Sequence, residues 1–308
     1  MLPGLAFLIL ASGMATDPAA SGAIPAAASA TETTAVPYVI QKRVEEAHVV
    51  FTVRGTHRKA APELTANDVA VIEDEQSPAP LTSFYKQGTL PLRLAVVLDM
   101  SGSMQGVFAQ ERQAAAAWLD RIAETENVEV SIASFATEDR ALPGDAHEVM
   151  SVLQPPRSDG QTALFDSMYE TMWRLNAAEE GARAQKAIVV FSDGEDNWSR
   201  HGLDDVIAAA QQSETTIFAI TVHSRRVEIA GDEVLRTMAE ATGGQAFVLG
   251  RYEQVGKALT AIGDALPAQF VVGFRPRNIT YGFHTVKVVL RDHALKVKAH
   301  SGYYVDVP

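Results

Sequence analysis

The run Leu92-Arg-Leu-Ala-Val-Val-Leu-Asp99 constrains this chain more than any other stretch. It is apolar, carries β-branched valines and ends on an acid. Such a run reads as a strand buried on both faces of a parallel sheet. Two serines follow at fixed spacing, giving Asp99-Met-Ser101-Gly-Ser103. Parallel sheets place their ligand sites in loops beyond the strand carboxyl ends. Three oxygen-bearing side chains at that edge suit a hard cation such as Mg2+.

From Leu92 onward the chain alternates strand and helix. Strands are expected at Val128–Phe135, Lys186–Asp193, Thr215–Val222 and Gln245–Leu249. Helices are expected at Glu111–Glu124, Asp166–Leu175, Leu203–Gln212, Asp232–Ala241 and Tyr252–Leu266, with Gly243-Gly244 as a carboxyl cap. This alternation predicts an α/β domain with a doubly wound, mostly parallel sheet over residues 91–266.

The flanks read differently. Residues 31–90 and 267–308 hold strand patterns separated by turn formers, including Val44–Val53, Val69–Glu73, Phe270–Phe274, His284–Leu290 and Leu295–Ala299. Leu81–Tyr85 is expected to pair back after the turn formers of Asp74–Pro80. Neither flank is long enough to bury a good core alone. The two are therefore expected to combine into one β-sandwich with the α/β domain inserted between them. Within residues 1–30, Leu5–Ala11 resembles the apolar region of a secretory signal and is too short to span a bilayer, which takes about 20 residues. A flexible linker of small residues follows to Pro37. Export to the periplasm, envelope or medium is the expectation, with no transmembrane segment after signal removal. The chain has no cysteine, which excludes disulfides, zinc-thiolate sites and a cysteine nucleophile. Its net charge of −12 argues against nucleic acid as a partner.

Two further stretches join the Asp99 loop: Asp159-Gly160-Gln-Thr162, just before a helix, and Ser192-Asp193-Gly194, at the end of a buried strand. Right-handed crossovers bring both to the same sheet edge. Asp-x-Ser-x-Ser, a Gly-x-Thr loop and Ser-Asp-Gly together resemble the von Willebrand factor A domain. That family's fold is Rossmann-like and its signature is the metal-ion-dependent adhesion site. The resemblance implies Ser101 and Ser103 as hydroxyl ligands, Thr162 as a ligand in some states, and Asp99 and Asp193 holding the ion partly through water. The flanks, with Leu-Thr-Ala-Asn-Asp-Val before and Phe-Val-Val-Gly-Phe-Arg-Pro after, resemble related bacterial proteins described from acidobacteria.

A site of this kind, with neutral hydroxyls against the ion, keeps an electrophilic open position that suits an anionic oxygen. The expectation is Mg2+, with Mn2+ or Ca2+ as substitutes, docking an Asp or Glu of a partner protein. Met100 and Met104 as an apolar rim, Gly160 and Glu195 are candidates for the partner surface. Asp166 reads as a helix-start or supporting residue, Glu195 and Asp196 as solvated loop charges, and Trp118 and Trp173 as core. Other readings are helix capping by these serines and acids, an ion that only stabilises an envelope scaffold, and a metal-assisted hydrolase. The last lacks support, since Ser101 stands where a phosphatase needs its second Asp. Neither a Gly-x-Ser-x-Gly elbow nor a Walker loop occurs. The histidines form no pair with ligand spacing.

Overall fold

Leu92–Asp99 is a strand buried from end to end. Its side chains alternate between two cores. Leu94, Val96 and Leu98 enter one, and Ala95 and Val97 the other, as the two-residue period of a strand requires. The structure, a computed structural model, describes residues 46–54, 63–125, 127–156, 161–177, 183–223, 229–277 and 279–305. The signal-like segment, the linker, Asp159 and Gly160 lie outside the described residues.

Among the described residues, three strands precede this one: β1 (Ala47–Arg54), β2 (Val69–Glu73) and β3 (Leu81–Lys86). Leu92–Asp99 is β4. Then come α1 (Phe108–Ala123), β5 (Val128–Phe135), β6 (Asp139–Leu142), α2 (Ala146–Val152), α3 (Leu164–Ala177) and β7 (Gln185–Phe191). The α/β unit continues with α4 (Leu203–Gln212), β8 (Thr215–Val222), α5 (Ala230–Ala241), β9 (Gln245–Leu249) and α6 (Val255–Ala265). The tail holds β10 (Gln269–Phe274), β11 (Gly282–Leu290), β12 (Lys296–Ala299) and β13 (Gly302–Val305).

The central sheet has the order β6-β5-β4-β7-β8-β9 and is parallel except for β6. The chain leaves β4 toward β5, then crosses back to β7, so the winding reverses at β4. Such a reversal opens a crevice outside the carboxyl end of the strand, and Asp99 stands there. Residues of α1 and α6 cover one face of the sheet, and residues of α3, α4 and α5 the other. Gly243, at φ +77°, ends α5, and the Gly244 N–H donates to the Ala239 carbonyl at 2.8 Å. None of the described helices is long and apolar enough to cross a membrane.

The flanking strands form two antiparallel sheets, β12-β1-β10-β3 and β13-β11-β2. Strands from the two ends of the chain pair directly: Val49 lies opposite Val272, Phe51 opposite Phe270, and Val71 opposite Val288. One apolar core joins the sheets, with Phe51, Val71, Phe274 and Val288 buried in it. A buried amide chain ties this unit to the central sheet. Gln185 Nε2 donates to Gln269 Oε1 at 2.6 Å, and Gln269 Nε2 donates to Thr216 Oγ1 at 3.0 Å.

Several local expectations are corrected. Leu81–Tyr85 does not pair back on Val69–Glu73: β3 pairs with β10 and β2 with β11. The distant tail strands offer both of them apolar partners, so the turn between β2 and β3 crosses from one layer to the other. Trp118 is buried, but Trp173 is 65% exposed on the outer side of α3. The helix buries Met168, Met172 and Leu175 instead. β6 and α2 interrupt a stretch whose sequence carries no strong period.

Candidate metal centre

Asp99 is 1% exposed, yet both its carboxylate oxygens are engaged. The Ser101 N–H donates to Oδ1 at 2.8 Å, and the Ser192 hydroxyl donates to Oδ2 at 2.7 Å. Burial pushes its acid up to about 6, with the charge of Asp193 adding and the bonds from Ser101 and Ser192 opposing. The Asp99 carboxylate is thus fixed by the protein itself.

The chain then turns through a short 3-10 segment, Gly102–Gly106. Ser101 precedes it but makes no side-chain capping bond, and Val107, the residue before α1, makes none either. Capping therefore does not account for these serines. Their hydroxyl oxygens lie 3.0 Å apart. Adjacent corners of an octahedron around Mg2+, with arms of about 2.1 Å, are separated by about the same distance. Ser101 is buried and Ser103 exposed, so the pair runs from the interior to the surface.

Thr162 is buried just before α3. Its N–H donates to Asn197 Oδ1 at 2.8 Å, and its carbonyl accepts from the N–H groups of Asn197 and Trp198 at 3.0 and 3.1 Å. The following Ala163 N–H donates to the Ala136 carbonyl beyond β5 at 2.7 Å. The Thr162 loop is thereby clamped between the loops after β5 and β7.

Asp193 follows Ser192 at the end of β7, and its Oδ1 accepts from the Glu195 N–H at 3.1 Å. Gly194 has φ +79°, a conformation suited to glycine, and its N–H donates to Ser192 Oγ at 3.0 Å. The backbone of Gly231, at the start of α5, presses against this turn. A Cβ on Gly231 would sit 1.9 Å from the Asp193 carbonyl oxygen.

The remaining candidates divide. Met100 is half-buried and lines a cleft of ≈ 620 Å3, with Phe135, Arg140, Leu142 and Pro155 among its walls. Met104 is 3% exposed and packs beneath the loop, so it offers a partner no rim. Glu195 is exposed. Asp196 is no free solvated charge: it accepts from the Phe165 N–H at 3.0 Å and the Ser199 hydroxyl at 2.6 Å, which caps the start of α3 from a distant loop. Asp166 accepts from the N–H groups of Arg200 and His201 and bonds the His201 ring at 2.6 Å, a supporting role. Burial alone would raise its acid, but those His201 and Arg200 contacts outweigh it and hold the acid below its usual range.

The sequence reading missed Ser192, Asn197 and Glu111 as site residues. Ser192 lay within the quoted Ser-Asp-Gly motif. Asn197 carried no local signal. Glu111 did, because it precedes Ala115, Trp118 and Leu119 on one helical face and all of these are buried. Glu111 is itself 1% exposed, and its Oε1 has no hydrogen-bond partner. Burial, then the charges of Asp99 and Asp193, push its acid up to about 8. Two adjacent hydroxyls at the end of a strand that carries a fixed carboxylate are hard oxygen donors of the kind a divalent cation takes.

A second cluster, Glu73, Asp74 and His284, has its ligating atoms within 4.8 Å of one another. Each of these atoms already has a partner. Tyr303 donates to Glu73 Oε1 at 2.5 Å and the Arg277 N–H to Oε2 at 2.9 Å. His284 spans Asp74 Oδ2 at 2.8 Å and the Thr280 carbonyl at 2.8 Å, and Thr285 serves Asp74 Oδ1. This is a hydrogen-bond lock within the sandwich rather than a cation cage.

The family model described as von Willebrand factor type A domain matches residues 94–261. No curated protein matches the chain. Among solved structures, proximal thread matrix protein 1 from the mussel byssus, in crystal form 2, aligns with TM-score 0.46 and 16% identity over 61% of this chain and 49% of that one. The same protein with a zinc-occupied MIDAS motif aligns with TM-score 0.47 and 16% identity over 63% and 49%. The conserved hypothetical protein BatB from Bacteroides thetaiotaomicron aligns with TM-score 0.43 and 18% identity over 56% and 98%. The chain spans about half the length of the mussel protein it matches.

Proposed function

The chain belongs to the von Willebrand factor type A domain family, and on that premise we propose that its sheet-edge site binds a divalent cation and through it docks an acidic residue of a partner protein. Domains of this family are mostly binding modules without catalysis. Ser101, Ser103 and Thr162 would hold the ion by their hydroxyls, with Asp99 and Asp193 balancing its charge. When bound, the ion supplies an electrophilic open position. Mg2+ is the ion we favour, because the direct donors are hard neutral oxygens and Mg2+ keeps exchangeable waters.

The observation that carries this reading is the engagement of Asp99. Ser101 and Ser192 occupy an oxygen each, so its charge acts from behind the two serine hydroxyls. Neutral donors in front and charge behind leave the ion attractive to one more anion. The apolar Leu5–Ala11 stretch supports export, so we place the docking in the envelope or the medium.

The test is capture of envelope proteins by the immobilised full chain in Mg2+, in chelator, and with Asp99→Ala. Cation-dependent capture lost in Asp99→Ala supports docking through the site. Equal capture in all three arms overturns it. Unfolding by the chelator with no cation-dependent capture favours an ion that only stabilises a scaffold.

A further inference from the structure

Glu111 is a buried acid that the five-residue pattern does not contain. It lies in the first turn of α1, a helix whose next buried residues on that face, Ala115, Trp118 and Leu119, enter the apolar core beneath the sheet. Helical spacing therefore sets Glu111 at the sheet-edge end of a stripe that is otherwise apolar. It is 1% exposed and its Oε1 meets no donor. No described cation pairs with it, and burial first, then the charges of Asp99 and Asp193, raise its acid.

An unpaired buried carboxyl at the edge of the core is costly, because burial disfavours its charge and no donor answers it. A Leu or Met there would extend the core at no such cost. The arrangement becomes favourable when a divalent cation, or water bound to it, stands within reach of this carboxyl.

We infer that Glu111 is a third acidic member of the cation site, reaching the ion or its bound water from the α1 side. This rests on the cation-site reading above and goes beyond it. A third carboxylate tightens the hold on the ion and lessens its pull on a further anion. Glu111 thus sets the balance between retaining the cation and drawing in a partner's acid.

The experiment is calorimetric titration of the full chain with Mn2+ alone, for wild type, Glu111→Gln and Asp99→Ala. Melting of each protein in chelator is recorded alongside. Glu111→Gln keeps the size of the side chain and removes a buried acid, so its metal-free melting temperature should equal or exceed that of wild type. Its Mn2+ affinity should fall by about tenfold or more, the range typical for residues that support a metal site. Asp99→Ala should lose binding. If Asp99→Ala loses binding while Glu111→Gln binds as wild type does, the role of Glu111 is overturned and the site survives. If wild type binds no Mn2+, or Asp99→Ala binds it equally, the site itself falls and Glu111 with it.

Discussion

The Ser192 hydroxyl donates to Oδ2 of Asp99 across 2.7 Å, joining the ends of two neighbouring parallel strands. The same hydroxyl oxygen accepts the Gly194 N–H at 3.0 Å. One fully buried serine therefore fixes the acid of the first motif and the turn that presents Asp193. Ser192→Ala leaves a buried carboxylate oxygen and a buried N–H without partners. The expected cost is about 1–3 kcal/mol of stability, read by urea unfolding in chelator, together with weaker Mn2+ binding by calorimetry. Unchanged values in both would mean that water replaces the hydroxyl without loss.

The turn at Asp193 also depends on an absence of side chain. A Cβ on Gly231 would meet the Asp193 carbonyl oxygen at 1.9 Å, and one on Gly194 would meet the Gly231 carbonyl oxygen at 2.2 Å. Both contacts are with backbone, which cannot swing aside. Gly231→Ala should push α5 away from the β7 turn, lowering stability by about 1–3 kcal/mol and displacing Asp193. Calorimetry with Mn2+ should show lost affinity in Gly231→Ala, while Gly256→Ala, where a Cβ meets nothing within 4 Å, behaves as wild type.

These two relations mark where the sequence is legible. The buried strands β4, β7 and β8 announce themselves as unbroken apolar runs, and their parallel alignment places Asp99 and Ser192 side by side. The motif serines and acids were visible for the same reason, since each follows such a run. Asn197, Asp196 and Gly231 were not, because their roles come from loops that meet only after folding. Glu111 did carry a signal, a charge on a helix face whose other members are apolar, but only its burial ties that charge to a site. The layer change between β2 and β3 escaped because their partners lie about two hundred residues downstream.

His284 supplies a test of the sandwich. The ring is 3% exposed, and both nitrogens face acceptors, Asp74 Oδ2 and the Thr280 carbonyl. Burial pulls its pKa down, but the Thr280 and Asp74 contacts prevail and hold it above the ordinary value. A histidine whose folded pKa is raised stabilises most fully below its unfolded pKa of about 6.5 and loses that contribution as pH rises through the folded value. Wild type should therefore lose stability above about pH 6.5 relative to His284→Gln, in which this component of the slope vanishes. His48 has a pKa raised first by its bond to Glu214 and contributes a slope of the same sign, so the difference between the two proteins isolates His284. Urea midpoints between about pH 5.5 and 8.5 provide the measurement. Parallel curves for the two proteins would remove the lock.

Cation removal should be visible without any partner. In the absence of an ion, burial, with a smaller contribution from neighbouring acids, disfavours the charges of Asp99 and Glu111 and raises both acids. A ligand that binds only the folded chain stabilises it by about 2.7 kcal/mol at a hundred times its dissociation constant. Mg2+ or Mn2+ should therefore raise the melting temperature of wild type in a dose-dependent way, and chelator should reverse the rise. Asp99→Ala should show no such response, because it loses the charge at the carboxyl end of β4 and the acceptor for Ser192. K+ or Na+ salts at equal ionic strength serve as the control, since general screening does not distinguish monovalent from divalent cations at a specific site. A rise of the same size with monovalent salt would reduce the effect to screening and leave no specific cation site.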